Sequence, residues 1–235
     1  MEFQILASSS KGNSYLVKGS EGNLLLEAGI PFKKIKETLD FNLSDIKGCL
    51  ITHEHQDHAK SIKDIAKAGI DVYASKGTFE GCKVSGHRYI KVMDKQQISI
   101  AGFNILAFKT EHDCNEPLGF LLYEKETKEK LLFATDTYYI RYKFAGLDHI
   151  AVECNYCEEV LTRNIHSGYM LPELANRIRR SHFGLDNVIE FLKTNGTESL
   201  KNLYLLHLSD GNSDVNIIEK EIREVFRGNL VIASS

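Results

Sequence analysis

The stretch ITHEHQDH, residues 51–58, places His53, His55, Asp57 and His58 within six positions, directly after a short apolar run. Imidazole and carboxylate suit borderline divalent ions, zinc first, with manganese and iron as competitors chosen by geometry and supply. On a loop at the carboxyl end of a strand, residues two apart face one point, and the sheet behind them fixes where that point lies. Four such side chains are too few for two complete ions. The reading therefore requires more His or Asp far along the chain, each at a strand end. His112 in KTEHD, Asp136 in ATDT and His207 in LLHLSD each follow an apolar run and meet that requirement.

The elements that must position these residues show as short apolar runs suited to buried strands, at residues 3–6, 15–17, 24–26, 49–51, 72–74, 105–108, 120–123, 131–134, 150–152 and 203–206. Helical periodicity covers 31–39, 60–68, 171–180, 186–193 and 215–226. Strands mixed with helices at both ends predict an α+β fold, an αββα sandwich of two β-sheets flanked by helices. The 235 residues contain three prolines (Pro31, Pro117, Pro172), no linker-like tract and no short repeat, so one domain over 1–235 is expected.

A composition of 43% hydrophobic and 26% charged residues is that of a chain with a substantial core. The formal charge of −3 excludes a global basic field, so nucleic acid would be held by a local patch. Five cysteines, an odd number without regular spacing, behind an opening without a signal-peptide pattern, point to the cytoplasm. No apolar run approaches bilayer-spanning length, so no membrane partner is expected.

The residue set resembles the metallo-β-lactamase-fold hydrolase superfamily over nearly the whole chain. The resemblance implies that His53, His55 and His112 hold one ion, Asp57, His58 and His207 the second, and that Asp136 bridges them. Further fragments resemble the YycJ-type exonuclease-like branch: LASSSKGNSYLV, HDCNEPLGF, ECN at residues 153–155, HLSDGNSD, and RIRRSHFGLDN, in which His182 takes the place of a His outside the metal shell. Glu27 stands where the superfamily usually has Asp. Tyr138 and Tyr139 follow TDT where small residues are common, and Tyr156 follows ECN where His is usual.

Two divalent ions against Asp57, Asp136 and one hydroxide leave a net charge of about +1, which attracts an anion such as a phosphodiester, and such ions lower the pKa of water to about 7. His182 is the candidate proton donor to the leaving oxygen, with Asp57 able to share proton duties. Arg177, Arg179, Arg180 and Arg163 are read as phosphate contacts, and Lys60, Lys63 and Lys67 as a solvated helix face. Cys154 and Cys157 lack a second pair and are read as packing residues, Cys114 as a buried or outer-lying thiol, and His87, His149 and His166 as structural. Gly12-Asn13-Ser14 is read as a turn, and Ser8 to Ser10 lack a base.

These residues predict a dinuclear metal-dependent hydrolase, a phosphodiesterase or nuclease acting on DNA or RNA. A small-molecule ester, lactone or thioester hydrolase on the same site is the alternative. A non-catalytic, metal-stabilised nucleic-acid-binding protein is the further one.

Overall fold

A computed structural model describes residues 1–233, so the last two positions of the expected 1–235 domain lie outside the described residues. The chain divides into two compact units, Met1–Lys109 with Cys114–Glu129, and Thr110–Asp113 with the chain from Lys130 onward.

In the first unit, β1 (Glu2–Ala7), β2 (Ser14–Gly19), β3 (Gly22–Leu26), α1 (Phe32–Thr38), β4 (Ile46–Leu50), α2 (Gln56–Ala59), α3 (Ile62–Lys67), β5 (Val72–Ala74), α4 (Lys76–Gly81) and β6 (Tyr89–Lys91) follow one another. Their six strands form one sheet in chain order, antiparallel from β1 to β3 and parallel from β3 to β6. Strand β3 reads Leu24-Leu25-Leu26 without polar alternation because both of its faces are covered. Leu25, with Leu16, Cys49 and Val72, packs on Ile35, Ile62, Ile65 and Phe79 of the helices. The antiparallel meander of β7 (Gln97–Ile100), β8 (Phe103–Lys109) and β9 (Leu118–Glu124) completes this unit. Its Phe103 ring lies so close over Gly19 that an added Cβ would fall 2.4 Å from it.

The second unit is a parallel sheet of β10 (Lys130–Ala134), β11 (His149–Glu153), β12 (Asn202–Leu206) and β13 (Asn229–Ile232), with helices α5 (Glu158–His166), α6 (Pro172–Ser181), α7 (Leu185–Asn195) and α8 (Val215–Val225). Parallel neighbours need a crossover connection, usually helical. Between β10 and β11 that connection, residues 135–148, contains neither helix nor strand.

Every apolar run read as a strand lies wholly or mainly in one. Run 49–51 is shifted, since β4 begins at Ile46 and ends at Leu50. The short, partly exposed strands β6, β7 and β13 and the helices α4 and α5 went unread. One local expectation is corrected: Asp57 and His58 lie on the single-turn helix α2 rather than in a loop. Among the described residues no helix is long and apolar enough to cross a membrane.

Candidate metal centre

In the first unit the histidine stretch leaves β4 and enters α2 with its backbone clamped from two sides. Asn13 N–H donates to the Asp57 carbonyl at 2.8 Å, Ala28 N–H donates to the His58 carbonyl at 2.8 Å, and Asn13 Nδ2 reaches Asp57 O at 3.2 Å. The Glu27-Ala28-Gly29 turn comes so near that a Cβ added at Gly29 would fall 1.6 Å from Asp57 O. Gly29→Ala therefore forces the Asp57 backbone outward. We expect a stability loss of about 1–3 kcal/mol, the usual cost of overpacking, together with reduced metal content. A wild-type urea midpoint and full metal content in Gly29→Ala would contradict this.

Three imidazoles crowd this clamp, with His53 and His58 fully buried. His53 Nδ1 lies 2.9 Å from Thr52 Oγ1, which turns Nε2 toward His55 Nδ1, 3.1 Å away. Two nitrogens so spaced fit adjacent ligands of one ion, since tetrahedral zinc with bonds of about 2.0–2.1 Å sets them about 3.3 Å apart. His58 Nε2 is 3.3 Å from Asp57 Oδ2 and 3.2 Å from Asn13 Nδ2, and its Nδ1 is 3.6 Å from Glu27 Oε1. Glu27 thus sets a buried carboxylate beside the His58 ring, the place from which a carboxylate would orient a metal-binding His. Its burial raises its pKa, and His58 and Thr52 oppose that rise.

In the second unit Asp136, Glu153, His182 and His207 offer ligand atoms that all lie within 4.8 Å of one another. Asp136 presents Oδ2 to His112 Nε2 at 3.7 Å and Oδ1 to His207 Nδ1 in a short contact. One carboxylate thus addresses two imidazoles from opposite oxygens. His112 Nδ1 must carry a hydrogen because its partner at 2.8 Å is the Ser181 carbonyl, and this leaves the Nε2 lone pair for a ligand. Burial lowers the His112 pKa, which favours the neutral form that binds metal. Burial alone would lower the pKa of His207 too, but the charge of Asp136 and hydrogen bonds to Asp136 and Glu153 raise it to about 10. The same two carboxylates that favour a proton on His207 would favour a divalent cation there.

His182 follows α6, and its Nδ1 donates to Glu153 Oε1 at 2.6 Å, with 23% of its side chain exposed. Its ring lies 5.6 Å from that of His112 and 5.8 Å from that of His207. Burial opposes its protonation, yet the Glu153 charge and hydrogen bond raise its pKa. Glu153 is fully buried and also accepts from the Thr137 and Phe183 amides at 3.2 and 3.0 Å. Full burial would raise its pKa, but His182 and the hydrogen bonds hold it below the ordinary carboxylate range.

Glu27, Asp136 and His207 each take the left-handed conformation, with φ of 63°, 49° and 52°. Such strain persists in non-glycine residues only where surrounding structure imposes it, and it clusters at functional sites. Each of the three stands immediately past, or two residues past, the end of β3, β10 or β12.

Each unit therefore brings its own share of the sequence-predicted residues together: His53, His55, Asp57 and His58 in the first, and His112, Asp136, His182 and His207 in the second. Glu153 and Asn13 were not read as site residues. Glu153 ends the strand HIAVE as Asp136 follows LLFA, which is the signal that would have found it. The sequence around Asn13 predicts a turn, whereas its side chain bonds Asp57 and His58. The arginines differ from expectation in part: Arg177 pairs with Asp113 at 3.1 Å and Arg179 with Glu158 at 2.5 Å, so both are already engaged by carboxylates. Cys154 and Cys157 are buried, free thiols.

A fold of two mixed sheets flanked by helices, with His and Asp gathered at strand ends, defines a class, and residues 23–208 match the family described as the Beta-lactamase superfamily domain. The chain belongs to this superfamily and has the metallo-β-lactamase fold. It is 32% identical to the exodeoxyribonuclease WalJ of Streptococcus pneumoniae, over 90% of this chain and 83% of that one. It is 24% identical to the exodeoxyribonuclease YycJ of Bacillus anthracis, over 96% and 89%. The crystal structure of the metallo-β-lactamase-fold protein YhfI from Bacillus subtilis superposes with a TM-score of 0.77 at 17% identity, covering 99% of this chain and 96% of that one.

Proposed function

We propose that the chain is a metal-dependent phosphodiesterase that trims DNA from a 5′ end. The observation behind this reading is the second-unit constellation, in which Asp136 addresses His112 and His207 while Glu153 orients His182. The names of the WalJ and YycJ relatives support DNA as substrate. His53, His55 and His112 would hold one divalent ion, and Asp57, His58 and His207 the other, with Asp136 shared between them. Zinc suits this donor set, with manganese or iron as alternatives, and such ions make hydroxide available near neutral pH and neutralise the phosphate.

The chain's own residues do the rest. Glu153 holds His182 by Nδ1, which leaves Nε2 to carry the proton that the departing alkoxide needs, and the Glu153 charge and hydrogen bond favour that protonated form. Ser181 fixes the His112 tautomer, and Thr52 does the same for the orientation of His53. We assign the protein to the cytoplasm on its odd number of irregularly spaced cysteines.

The test is to strip metal with a chelator, reload with zinc or manganese, and incubate with 5′-labelled single- and double-stranded DNA and RNA. Labelled mononucleotides should appear from DNA only after reloading. Loaded protein that hydrolyses simple esters but no nucleic acid would replace this reading with the small-molecule hydrolase. Bound metal with no hydrolysis of any ester would leave the non-catalytic binding protein.

A further inference from the structure

The connection that follows Asp136 contains more aromatic and basic side chains than packing uses. In TDTYYIRYKF, residues 135–144, Ile140 and Phe144 are buried and anchor the segment, while Tyr138 and Tyr139 are 36% and 51% exposed. Arg141 and Lys143, which follow them, are exposed too. Long connections without secondary structure in compact domains are usually functional. This one is held in place without a sheet ladder. Thr137 Oγ1 accepts from Glu111 N at 2.9 Å and donates to Tyr139 O at 2.8 Å, Tyr138 N donates to Glu111 O at 3.0 Å, and Phe144 N donates to Asn195 Oδ1 at 2.6 Å. The exposed rings are therefore presented on an ordered backbone.

Against α7 the same segment forms an open cleft of about 470 Å³, solvent at its mouth included, lined by Tyr139, Arg141, Tyr142, Lys143, Phe183 and Asn187, among others. Phe183 is the neighbour of His182, and Tyr139 is three residues from Asp136, a span of about 10 Å at full extension. Arg141 Nε is engaged by Glu111 at 2.5 Å, which fixes the guanidinium while the side chain stays 63% exposed. Glu190 also borders the cleft, so its field is mixed rather than uniformly basic. Exposed aromatic faces interleaved with two cations are the chemistry of an unpaired nucleic-acid strand, whose bases stack on rings and whose phosphates meet Arg and Lys. A duplex hides its base faces in its own stack.

We propose that residues 138–143 form the subsite for single-stranded DNA: Tyr138 and Tyr139 stack on bases next to the scissile phosphate, and Lys143 contacts a flanking phosphate, with Arg141 held beside it by Glu111. This rests on the nuclease reading above and names the form of its substrate. The test compares the metal-loaded wild type with Tyr138→Ala/Tyr139→Ala on three substrates: a 5′-phosphorylated oligo(dT), the same oligomer with abasic sites at its first three positions, and bis(p-nitrophenyl) phosphate. For oligo(dT) the double variant should raise KM by about tenfold or more, since stacking is worth that much per base. It should act on the abasic strand and the small ester within about twofold of wild type. Tyr138→Phe/Tyr139→Phe keeps the ring faces and should retain the wild-type KM.

An unchanged KM for oligo(dT), an equal loss on the small ester, or a comparable loss in the Phe pair overturns the subsite. A wild type that cleaves oligo(dT) while the Ala pair keeps its KM removes the subsite alone, and a wild type that cleaves no nucleic acid removes the nuclease reading with it.

Discussion

Asp136→Ala lowers phosphodiester hydrolysis by about a thousandfold or more and leaves less metal bound per chain. Among the described residues of the second unit, Asp136 is the carboxylate whose two oxygens address different imidazoles, His112 and His207. Its removal takes the shared carboxylate away from both imidazoles. Metal ions contribute several kcal/mol of charge stabilisation to such reactions, and each 1.36 kcal/mol is tenfold in rate, so about 4 kcal/mol gives the stated loss. Asp136→Asn separates charge from size: it keeps the volume, and it should lose nearly as much. Metal analysis beside kcat is the measurement. Either variant retaining full metal content and activity within tenfold of wild type would remove Asp136 from the centre.

His182→Ala should reduce DNA hydrolysis by about a hundredfold to ten thousandfold, the range for a positioned general acid. The leaving group decides whether the role is the assigned one. A sugar alkoxide requires a proton as it departs, whereas p-nitrophenolate leaves as a stable anion. The variant should therefore keep most of its activity on bis(p-nitrophenyl) phosphate while losing it on DNA. Equal losses on the two substrates would make His182 only a positioning partner of Glu153, whose buried carboxylate it contacts at 2.6 Å.

Much of this molecule is legible in the sequence because buried strands leave a strong trace. Runs such as Leu24-Leu25-Leu26 and Leu131 to Ala134 are apolar on both faces, and candidate site residues stand out as polar interruptions at the ends of such runs. Strand β7 left little trace, because Gln97 and Ser99 face outward and only Ile100 is buried. The partners of charged side chains were invisible for a different reason. Arg177 meets Asp113 and Arg179 meets Glu158 across long sequence separations, so no local pattern could show that these cations are already engaged. Asn13 escaped similarly: its neighbours in sequence suggest a turn, while its partners are Asp57 and His58.

The left-handed backbone at Glu27, Asp136 and His207 has a consequence for any attempt to harden this protein. Each costs on the order of 1–3 kcal/mol, so a screen rewarding heat resistance alone would drift toward glycine or asparagine there. The survivors would melt later and lose catalysis, because these three of the chain's left-handed non-glycine positions stand among the candidate metal ligands or brace them.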